Sequence, residues 1–572
     1  MGGTQTGLGR QTMDVVGRPK TLHVSPRSRG KISKCLLSFH PVPTCEDLDT
    51  SMNDFNLADI WEAVADSVPD RVALRCGEQR RTYAQLEQQS NRLAHWYLEQ
   101  GVQTGDHIGL YLENCVEYVE ATLAAYKVRA VPININYRYT ARELEHLFCD
   151  ADLVGVVHQW GYTNRVTEVE SQVPTLRWKL AAGSTYDDAL ASSSPARDFD
   201  PRSGDDRYIL YTGGTTGVPK GVVWRQEDAF FACMGGGNPA LPEVTSVEEL
   251  VQRIAHDQST FLLLAPLMHA AGGWVVLLHL FSGNKVVLWS GSLDPRQVWR
   301  TIEREKVTAT STVGDAVMRP LLDAWDDFDP KPDIESLAVV SSGGAPLSTA
   351  LRDRFLETFP SVPLSDGYGS SETGIQAGRI FLGPVGEKSE PQFTAQQAVI
   401  LDEETHRPVV PGSGVVGRVA RSGRIPLAYY KDPVKSAATF VEWDDRRWSL
   451  TGDMGTVADD GTITLLGRGN LCINTGGEKV YPEEVEGVLR QSGAVYDVVV
   501  VGVPDERWGQ RVVAVVQPTT GTHPTEGELM TLVRASLAGY KVPKLVIFVD
   551  EVVRSPTGKA DYRWAAAVAA SS

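Results

Sequence analysis

The stretch YILYTGGTTGVPKGVVW, residues 208–224, places a segment rich in glycine and threonine between two apolar runs. The apolar runs have the composition of β-strands, and the segment between them has that of a turn or loop. Such a loop can present backbone N–H groups and hydroxyls to an anion, usually phosphate, or it can be a long hairpin turn. The stretch fits both interpretations equally, so the rest of the chain has to distinguish them.

Length and composition predict a large globular protein. With 572 residues, of which 42% are hydrophobic, the chain can bury a sizeable core divided among several domains. The formal net charge of −17 argues against non-specific nucleic-acid binding, which depends on basic surface. The seven cysteines are scattered and never spaced C-x-x-C, which indicates neither a disulfide framework nor a zinc site. A reducing compartment fits this pattern, and we expect a cytoplasmic protein.

Residues 261–284 carry no Lys, Arg, Asp or Glu and are long enough to cross a membrane. A proline, a glycine pair and two histidines interrupt the segment. It therefore predicts a buried strand, a turn and a buried helix, with no transmembrane span.

The first fifty residues differ from the rest of the chain. Residues 1–40 contain seven Lys or Arg and a single acid, with no amphipathic period. This composition predicts a disordered N-terminal extension over residues 1–52, and the simplest interpretation is an upstream segment before a natural start at Met52.

From about Ile60 the pattern alternates between helix and strand, which predicts an α/β fold with parallel-rich sheets. The character changes near Gly467, where a helix, two strands, a helix and a strand form a self-contained α+β pattern. We predict a large N-terminal domain over residues 53–466 and a small, mobile C-terminal domain over residues 467–572, joined by a hinge.

Five further glycine-rich motifs follow the opening stretch. Each one alone is compatible with an ordinary turn. They are SSGGAPLS (341–348), SDGYGSSETG (365–374), WSLTGDMG (448–455), GRGNLCINTGGEKVYPEEVE (467–486) and RSPTGKADYRW (554–564).

Taken together, the order and spacing of the six motifs resemble the adenylate-forming (ANL) superfamily, which contains acyl-CoA synthetases, luciferases and the adenylation domains of peptide synthetases. The resemblance runs from about residue 53 to 565. The stretch YTGGTTGVPKGVVWRQEDAF is most similar to actinobacterial ligases that attach CoA to fatty acids or steroid side chains.

The resemblance implies an AMP-forming acyl-CoA synthetase that uses ATP, Mg²⁺ and CoA. Its substrate would be a hydrophobic carboxylic acid, either a medium- or long-chain fatty acid or a steroid side chain. An acyl-AMP ligase that loads a separate carrier protein is the alternative. A regulatory protein on the same fold would be expected to lack Lys559 or Glu372, and both are present.

Site residues follow from the resemblance position by position. Catalysis is assigned to Lys559 and His269, Mg²⁺ to Glu372 with Thr212, and CoA binding to Gly476, Gly477 and Glu478. ATP and AMP binding is assigned to Thr212, Gly213, Gly214, Thr215, Thr216, Gly217, Lys220, Gly343, Gly344, Ala345, Asp366, Gly367, Tyr368, Gly369, Ser371, Asp453 and Arg468.

Within these roles, the resemblance implies that Tyr368 offers a flat face to adenine and that Asp453 accepts the ribose hydroxyls. The acid pocket is expected along residues 269–274, with Val313, Gly314 and residues 343–345 opposite. We expect the small residues at positions 270–273 to leave room for a bulky or long acid. The hinge departs from the family pattern, with Asn470 and Leu471 where relatives carry charged residues.

Overall fold

The computed structural model describes residues 55–213, 219–237, 241–345, 347–383, 392–394, 398–475, 478–505, 507–554 and 559–571. The extension predicted over residues 1–52 lies outside this part of the chain. Among the helices that the described residues form, none combines the length and the apolar character that crossing a membrane requires.

Helices and strands alternate through most of the chain, as the sequence predicts, and are numbered here in chain order. The helices are α1 Leu57–Ser67, α2 Tyr83–Glu99, α3 Val116–Lys127, α4 Ala141–Asp150, α5 Thr163–Val169, α6 Ser184–Ser192, α7 Gln226–Met234, α8 Val247–Gln252, α9 Ala270–Phe281, α10 Pro295–Glu305, α11 Gly314–Asp326, α12 Thr349–Thr358, α13 Pro433–Thr439, α14 Pro482–Leu489, α15 Glu526–Ser536 and α16 Tyr562–Ala570.

The strands form five sheets. They are β1 Val72–Cys76, β2 Gln79–Thr82, β3 His107–Tyr111, β4 Val131–Asn134, β5 Leu153–His158, β6 Trp178–Ala181, β7 Arg207–Gly213, β8 Pro219–Arg225, β9 Thr260–Leu263, β10 Lys285–Leu288, β11 Ala309–Thr312, β12 Val339–Gly343, β13 Leu364–Ser370, β14 Gly374–Phe381, β15 Gln392–Thr394, β16 Ala398–Leu401, β17 Gly417–Ser422, β18 Ala428–Tyr429, β19 Phe440–Trp443, β20 Arg446–Val457, β21 Thr462–Arg468, β22 Ile473–Thr475, β23 Glu478–Val480, β24 Val495–Asp505, β25 Gly509–Pro518 and β26 Leu545–Phe548.

The largest sheet has eight strands in the order β14-β13-β12-β11-β9-β10-β1-β2. Its six inner strands run parallel, and the strands at both edges pair antiparallel. A second sheet, β4-β3-β5-β6, is entirely parallel. The carboxyl ends of parallel strands meet at one edge of a sheet, which is where open α/β sheets bind their ligands.

The opening stretch forms an antiparallel hairpin of β7 and β8, in which Thr212 pairs with Lys220 and Gly213 with Pro219. Strand β18 adds to the outer side of β8. A further, antiparallel sheet contains β15, β21, β20, β17 and β16, with β19 also paired to β20. The segment between β7 and β8, residues 214–218, lies outside the described residues.

A separate five-stranded sheet of β22 to β26 forms the last part of the chain. Strand β24 is valine-rich because both of its faces are covered. Val498 and Val500 pack with α14 and α15, whereas Val499 and Val501 pack with α16. This small unit has the α+β character that the sequence predicts.

A buried ionic cluster joins α1, α2 and α3. The ammonium of Lys127 is fully buried and donates to Glu62, at 2.5 Å, and to Glu87, at 2.9 Å. Arg202 also donates to Glu62, at 3.0 Å and 2.7 Å, and Arg197 to Glu87, at 2.9 Å. The cluster fixes the long connection before β7 against the first helices of the fold.

Candidate active site

A cleft of about 2380 Å³ lies between the small unit and the preceding part of the chain, called here the large unit, and continues into the large unit. It meets the carboxyl ends of β12 and β13, as the ligand site of an open α/β sheet does. Thirteen of the residues assigned from the sequence line it: Thr212, His269, Gly343, Gly344, Ala345, Asp366, Gly367, Tyr368, Gly369, Ser371, Glu372, Asp453 and Lys559.

Tyr368 and Asp453 are held together in this cleft. The Tyr368 hydroxyl donates to Oδ2 of Asp453 at 2.6 Å, and the backbone of Asp453 pairs with Arg468 in the neighbouring strand. The Tyr368 ring packs against the cluster of Ile400 and its neighbours. The residue assigned to adenine therefore also orients the residue assigned to the ribose.

The turn after β12 depends on Gly344. Its φ of +80° lies in the left-handed region, which a residue with a Cβ rarely adopts. Beside this turn, Asp366 pairs in register with Ser342. Burial raises the pKa of the Asp366 carboxyl to about 7, although nearby Arg352 opposes the shift.

Glu372 is oriented by two contacts that the sequence did not suggest. Its Oε1 accepts from the hydroxyl of Tyr429 at 2.7 Å, and its backbone carbonyl accepts from Oγ of Ser449 at 2.7 Å. The Lys435 ammonium lies 3.8 Å from the centre of the Tyr429 ring. Tyr429 and Lys435 both line the cleft, which places a cation close to the predicted metal ligand.

Lys220 is engaged at the base of the hairpin. Its ammonium forms an ion pair with Asp432, the residue that caps α13, and Lys220 does not line the cleft in this structure. The predicted phosphate contacts of Gly214, Thr215, Thr216 and Gly217 lie outside the described residues, and they stay predictions together with those of Gly213 and the Arg468 side chain.

His269 precedes α9 and faces the cleft with a neutral imidazole. Burial is the main cause that lowers its pKa to about 4, and the charges of Lys559 and Arg138 lower it further. Its Nε2 has no hydrogen-bond partner among the described residues. Such a buried nitrogen is available to a ligand.

Two asparagines that the sequence did not single out position the segment before His269. The Asn134 amide donates to the carbonyls of Tyr211 and Met268 at 2.8 Å and 2.7 Å, and so ties the hairpin to this segment. The Asn114 amide donates to Ala265 O and accepts from Leu267 N. Asn134 is the last residue of β4 and Asn114 lies three residues after β3, and a polar residue at the end of a buried strand could have been noted from the sequence.

Lys559, a residue of the small unit, lines the cleft. It lies just before α16 and is exposed, yet it is close enough to contribute to the lowered pKa of His269. Arg490 of the small unit approaches Asp315 of the large unit at 4.0 Å. By contrast, Glu478 does not line the cleft here, and Gly476 and Gly477 lie outside the described residues.

The cleft continues along α9 as a channel through the large unit. Ala270, Ala271, Trp274 and Leu278 contribute to its helix side. Strands β9, β11 and β12 contribute to the opposite side through Phe261, Ala309, Ser311, Val339 and Ser341, and residues 236–237 and α8 close the outer wall through Gly236, Gly237 and Leu250.

One sequence expectation about this channel is wrong in part. Ala270 and Ala271 line it as expected, but Gly272 and Gly273 do not. A Cβ on Gly272 would lie 2.3 Å from the carbonyl oxygen of Pro266, so this glycine permits close packing of the helix on the preceding turn. A small residue can leave room for substrate or can let two backbone segments pack closely. The sequence alone could not tell which of these applies to Gly272.

Comparison with known proteins identifies two family models in this chain. The model described as AMP-binding enzyme matches residues 61–429, and that described as AMP-binding enzyme C-terminal domain matches residues 484–559. The second match falls in the small unit and ends at Lys559.

Curated relatives and solved structures agree with these matches. The chain is 45% identical to the 3-oxocholest-4-en-26-oate–CoA ligase of Rhodococcus rhodochrous, over 89% of this chain and 95% of the relative. It is 44% identical to the medium/long-chain-fatty-acid–CoA/3-oxocholest-4-en-26-oate–CoA ligase of Mycobacterium marinum, over 89% and 96%. Among solved structures, ATP-bound MatB from Rhodopseudomonas palustris is similar, with a TM-score of 0.76 and 25% identity over 90% of this chain and 99% of that one.

Proposed function

The chain belongs to the AMP-binding enzyme family, and from that premise we propose that it is an acyl-CoA synthetase that activates a hydrophobic acid with ATP and transfers the acyl group to CoA. The observation that carries the proposal is that Lys559 of the small unit and the Tyr368–Asp453 pair of the large unit line one cleft, which continues into the channel along α9.

The first half-reaction needs a site that brings two anions together. The acid carboxylate attacks the α-phosphorus of ATP, and the bond to pyrophosphate breaks. Catalysis of such a step consists mainly of positioning and charge stabilisation. Tyr368 and Asp453 would bind the nucleoside, and Ser371 the α-phosphate. Lys559 would stabilise the charge that develops on the reacting oxygens.

The residues at the phosphate end fit a magnesium ion that arrives with the nucleotide. Mg²⁺ is commonly held by one or two carboxylates together with substrate phosphates. Glu372 has Oε1 fixed by Tyr429 and no hydrogen bond from the described residues to Oε2, and Thr212 lines the same cleft. The described residues contain no cluster of three or more acidic, His or Cys ligands, which suits a metal shared with ATP. When bound, the ion would neutralise phosphate charge.

The second half-reaction exchanges AMP for a thiol. The CoA sulfur attacks the acyl carbonyl, and AMP leaves as the carbon–oxygen bond breaks. We propose that the small unit, residues 467–572, rotates about a hinge near Gly467 so that Gly476, Gly477 and Glu478 replace Lys559 at the cleft. The disposition of Glu478 outside the cleft supports a change of arrangement between the two steps.

The acid is proposed to be a medium- or long-chain fatty acid or a steroid side-chain acid. The length of the channel and its apolar helix face, with Trp274 and Leu278, favour such substrates over acetate. The acids in the names of the relatives belong to the same classes. Free thiols at Cys76, Cys115, Cys149, Cys233 and Cys472 suit a reducing compartment, and we propose the cytoplasm.

The proposal is tested with a panel of acids from acetate to octadecanoate, together with aromatic and steroid side-chain acids. We expect CoA-dependent release of AMP and pyrophosphate, with the hydrophobic acids most active and with a requirement for Mg²⁺. Release of ADP, or highest activity on acetate, would contradict the proposal. Acyl-AMP that accumulates in the presence of CoA would instead favour transfer to a separate carrier protein.

A further inference from the structure

The far end of the channel is polar. His279 lies on α9, ten residues beyond His269, which immediately precedes that helix; ten residues correspond to about 15 Å at 1.5 Å per residue. It lines the channel together with Ser259, Asn284 and Thr308, which lie at the amino ends of β9, β10 and β11. The channel therefore runs along these strands from their carboxyl ends to their amino ends before it meets these groups. An alkyl chain forms no hydrogen bonds, so a channel that binds only alkyl chains does not need polar groups at this end.

The imidazole of His279 is held in one orientation. It stacks on Phe261 with ring centres 4.1 Å apart and an angle of 17° between the planes. The backbone N–H of Ser259 donates to Oδ1 of Asn284 at 3.3 Å, which turns the Asn284 amide nitrogen toward Nδ1 of His279, also at 3.3 Å. Because Nδ1 accepts from this amide, the ring proton of a neutral His279 is on Nε2.

His279 remains neutral because burial lowers the pKa of its imidazole to about 3. Its Nε2–H makes no hydrogen bond to a described residue, although the ring lines the channel. This donor faces the channel, where an acceptor supplied by a ligand could bind it. Arg253, a charged residue that also lines the cleft, already pairs with Glu249 and donates to the Pro242 carbonyl, so its charge is compensated.

We propose that this end of the channel is a subsite for an uncharged oxygen, either a ketone or a hydroxyl, that the acid carries at the end remote from its carboxyl group. The inference rests on the proposed function and makes its substrate more specific. Nε2–H of His279 donates to that oxygen, and Asn284 and Phe261 act as positioning residues for the ring. A rigid fused-ring acid with a ring oxygen matches these requirements better than a plain fatty acid.

The test uses acids that differ only at the remote oxygen: a steroid side-chain acid with a ring ketone, the same acid with a ring hydroxyl, and the acid with neither. Their affinities are measured by calorimetry, and kcat/KM is measured for each acid and for octadecanoate. The native protein should favour the oxygenated acids by roughly threefold to tenfold, the value of one neutral hydrogen bond.

The variants are His279→Phe, which keeps an aromatic ring against Phe261 but has no donor, and His279→Gln, which keeps a donor. His279→Phe should abolish the preference and His279→Gln should retain part of it, where the preference is the ratio between the oxygenated and the unoxygenated acid measured on the same variant. An undiminished preference in His279→Phe would overturn the subsite. Calorimetry measures binding without turnover. If the protein binds these acids but forms no acyl-CoA, the proposed function is wrong, and the measured affinities still show whether the subsite exists.

Discussion

The bond between Tyr368 and Asp453 joins two residues that lie 85 positions apart in the chain. The sequence motifs identified both residues, and the structure brings both to the cleft. The hydrogen bond between them could not be predicted, because it depends on how the sheet that contains β20 packs against the end of β13. It makes the orientation of one side chain dependent on the other.

Tyr368→Phe should weaken ATP binding roughly threefold to tenfold, since it removes one hydrogen bond while keeping the ring that would face adenine. Asp453→Ala should weaken it more, by about 1–3 kcal/mol, because the ribose hydroxyls would also lose their acceptor. Both are measured as ATP dissociation constants by calorimetry. An equal ATP dissociation constant in the native protein and in Asp453→Ala would mean that Asp453 does not bind the nucleotide and has only a structural role in its turn.

Glu372 and His279 show what sequence motifs omit at the level of single side chains. Glu372 was identified from its motif, but its partner Tyr429 belongs to a short strand with no motif of its own. His279 was noted only as an interruption in an apolar segment. It gains a role in the structure because helix α9 places it on the channel wall, ten residues from the motif histidine.

Helix α9 shows how far the sequence predicts an element and its surroundings. The apolar segment of residues 261–284 was expected to form a buried strand, a turn and a buried helix, and β9 and α9 confirm this. The sequence could not predict which face of the helix lines the channel, because apolar residues occur on all sides. Gly272 is the clearest case, since it packs against Pro266 rather than toward the substrate.

Gly272→Ala should lower stability by about 1–3 kcal/mol, because its Cβ would overlap the Pro266 carbonyl and force the helix away from the turn. The matched control is Gly527→Ala in α15, where nothing lies within 4 Å of the new Cβ. The control should leave the Tm unchanged or raise it, as expected for alanine in a helix. The two Tm values are compared by calorimetry, and equal values would refute this packing role for Gly272.

At the scale of the whole molecule, residues from both units line the cleft, and this arrangement bears on the order of the two half-reactions. The α/β fold of the large unit and the α+β character of the small unit agree with the sequence, because both follow from local periodicity. The docking of the units depends on contacts such as Arg319 over the Tyr496 ring at 4.6 Å, which no local pattern encodes. The division at residue 467 and the rotation about it stay predictions.

Lys559→Ala should slow acyl-adenylate formation at least about 10²-fold, by analogy with the loss of one preorganised donor. It should leave the attack of CoA on a supplied acyl-adenylate nearly unchanged, because Lys559 would by then have left the cleft. Single-turnover assays of the two half-reactions measure both effects.

Gly477→Leu provides the complementary variant, since the family resemblance places this residue on the pantetheine path. Acyl-AMP should form at the native rate and accumulate, while thioester formation slows. Slowing of the same half-reaction by Lys559→Ala and Gly477→Leu would rule out two alternating arrangements.

The buried ionic cluster around Lys127 has a consequence for folding during synthesis on the ribosome. Glu62 is separated from its partner Arg202 by 140 positions. At a synthesis rate of roughly 5–20 residues per second, the ribosome needs on the order of ten seconds between them. During that interval the Glu62 carboxylate of the first helix lacks its partner Arg202. The amino-terminal helices therefore cannot complete this cluster until residue 202 has left the ribosomal tunnel.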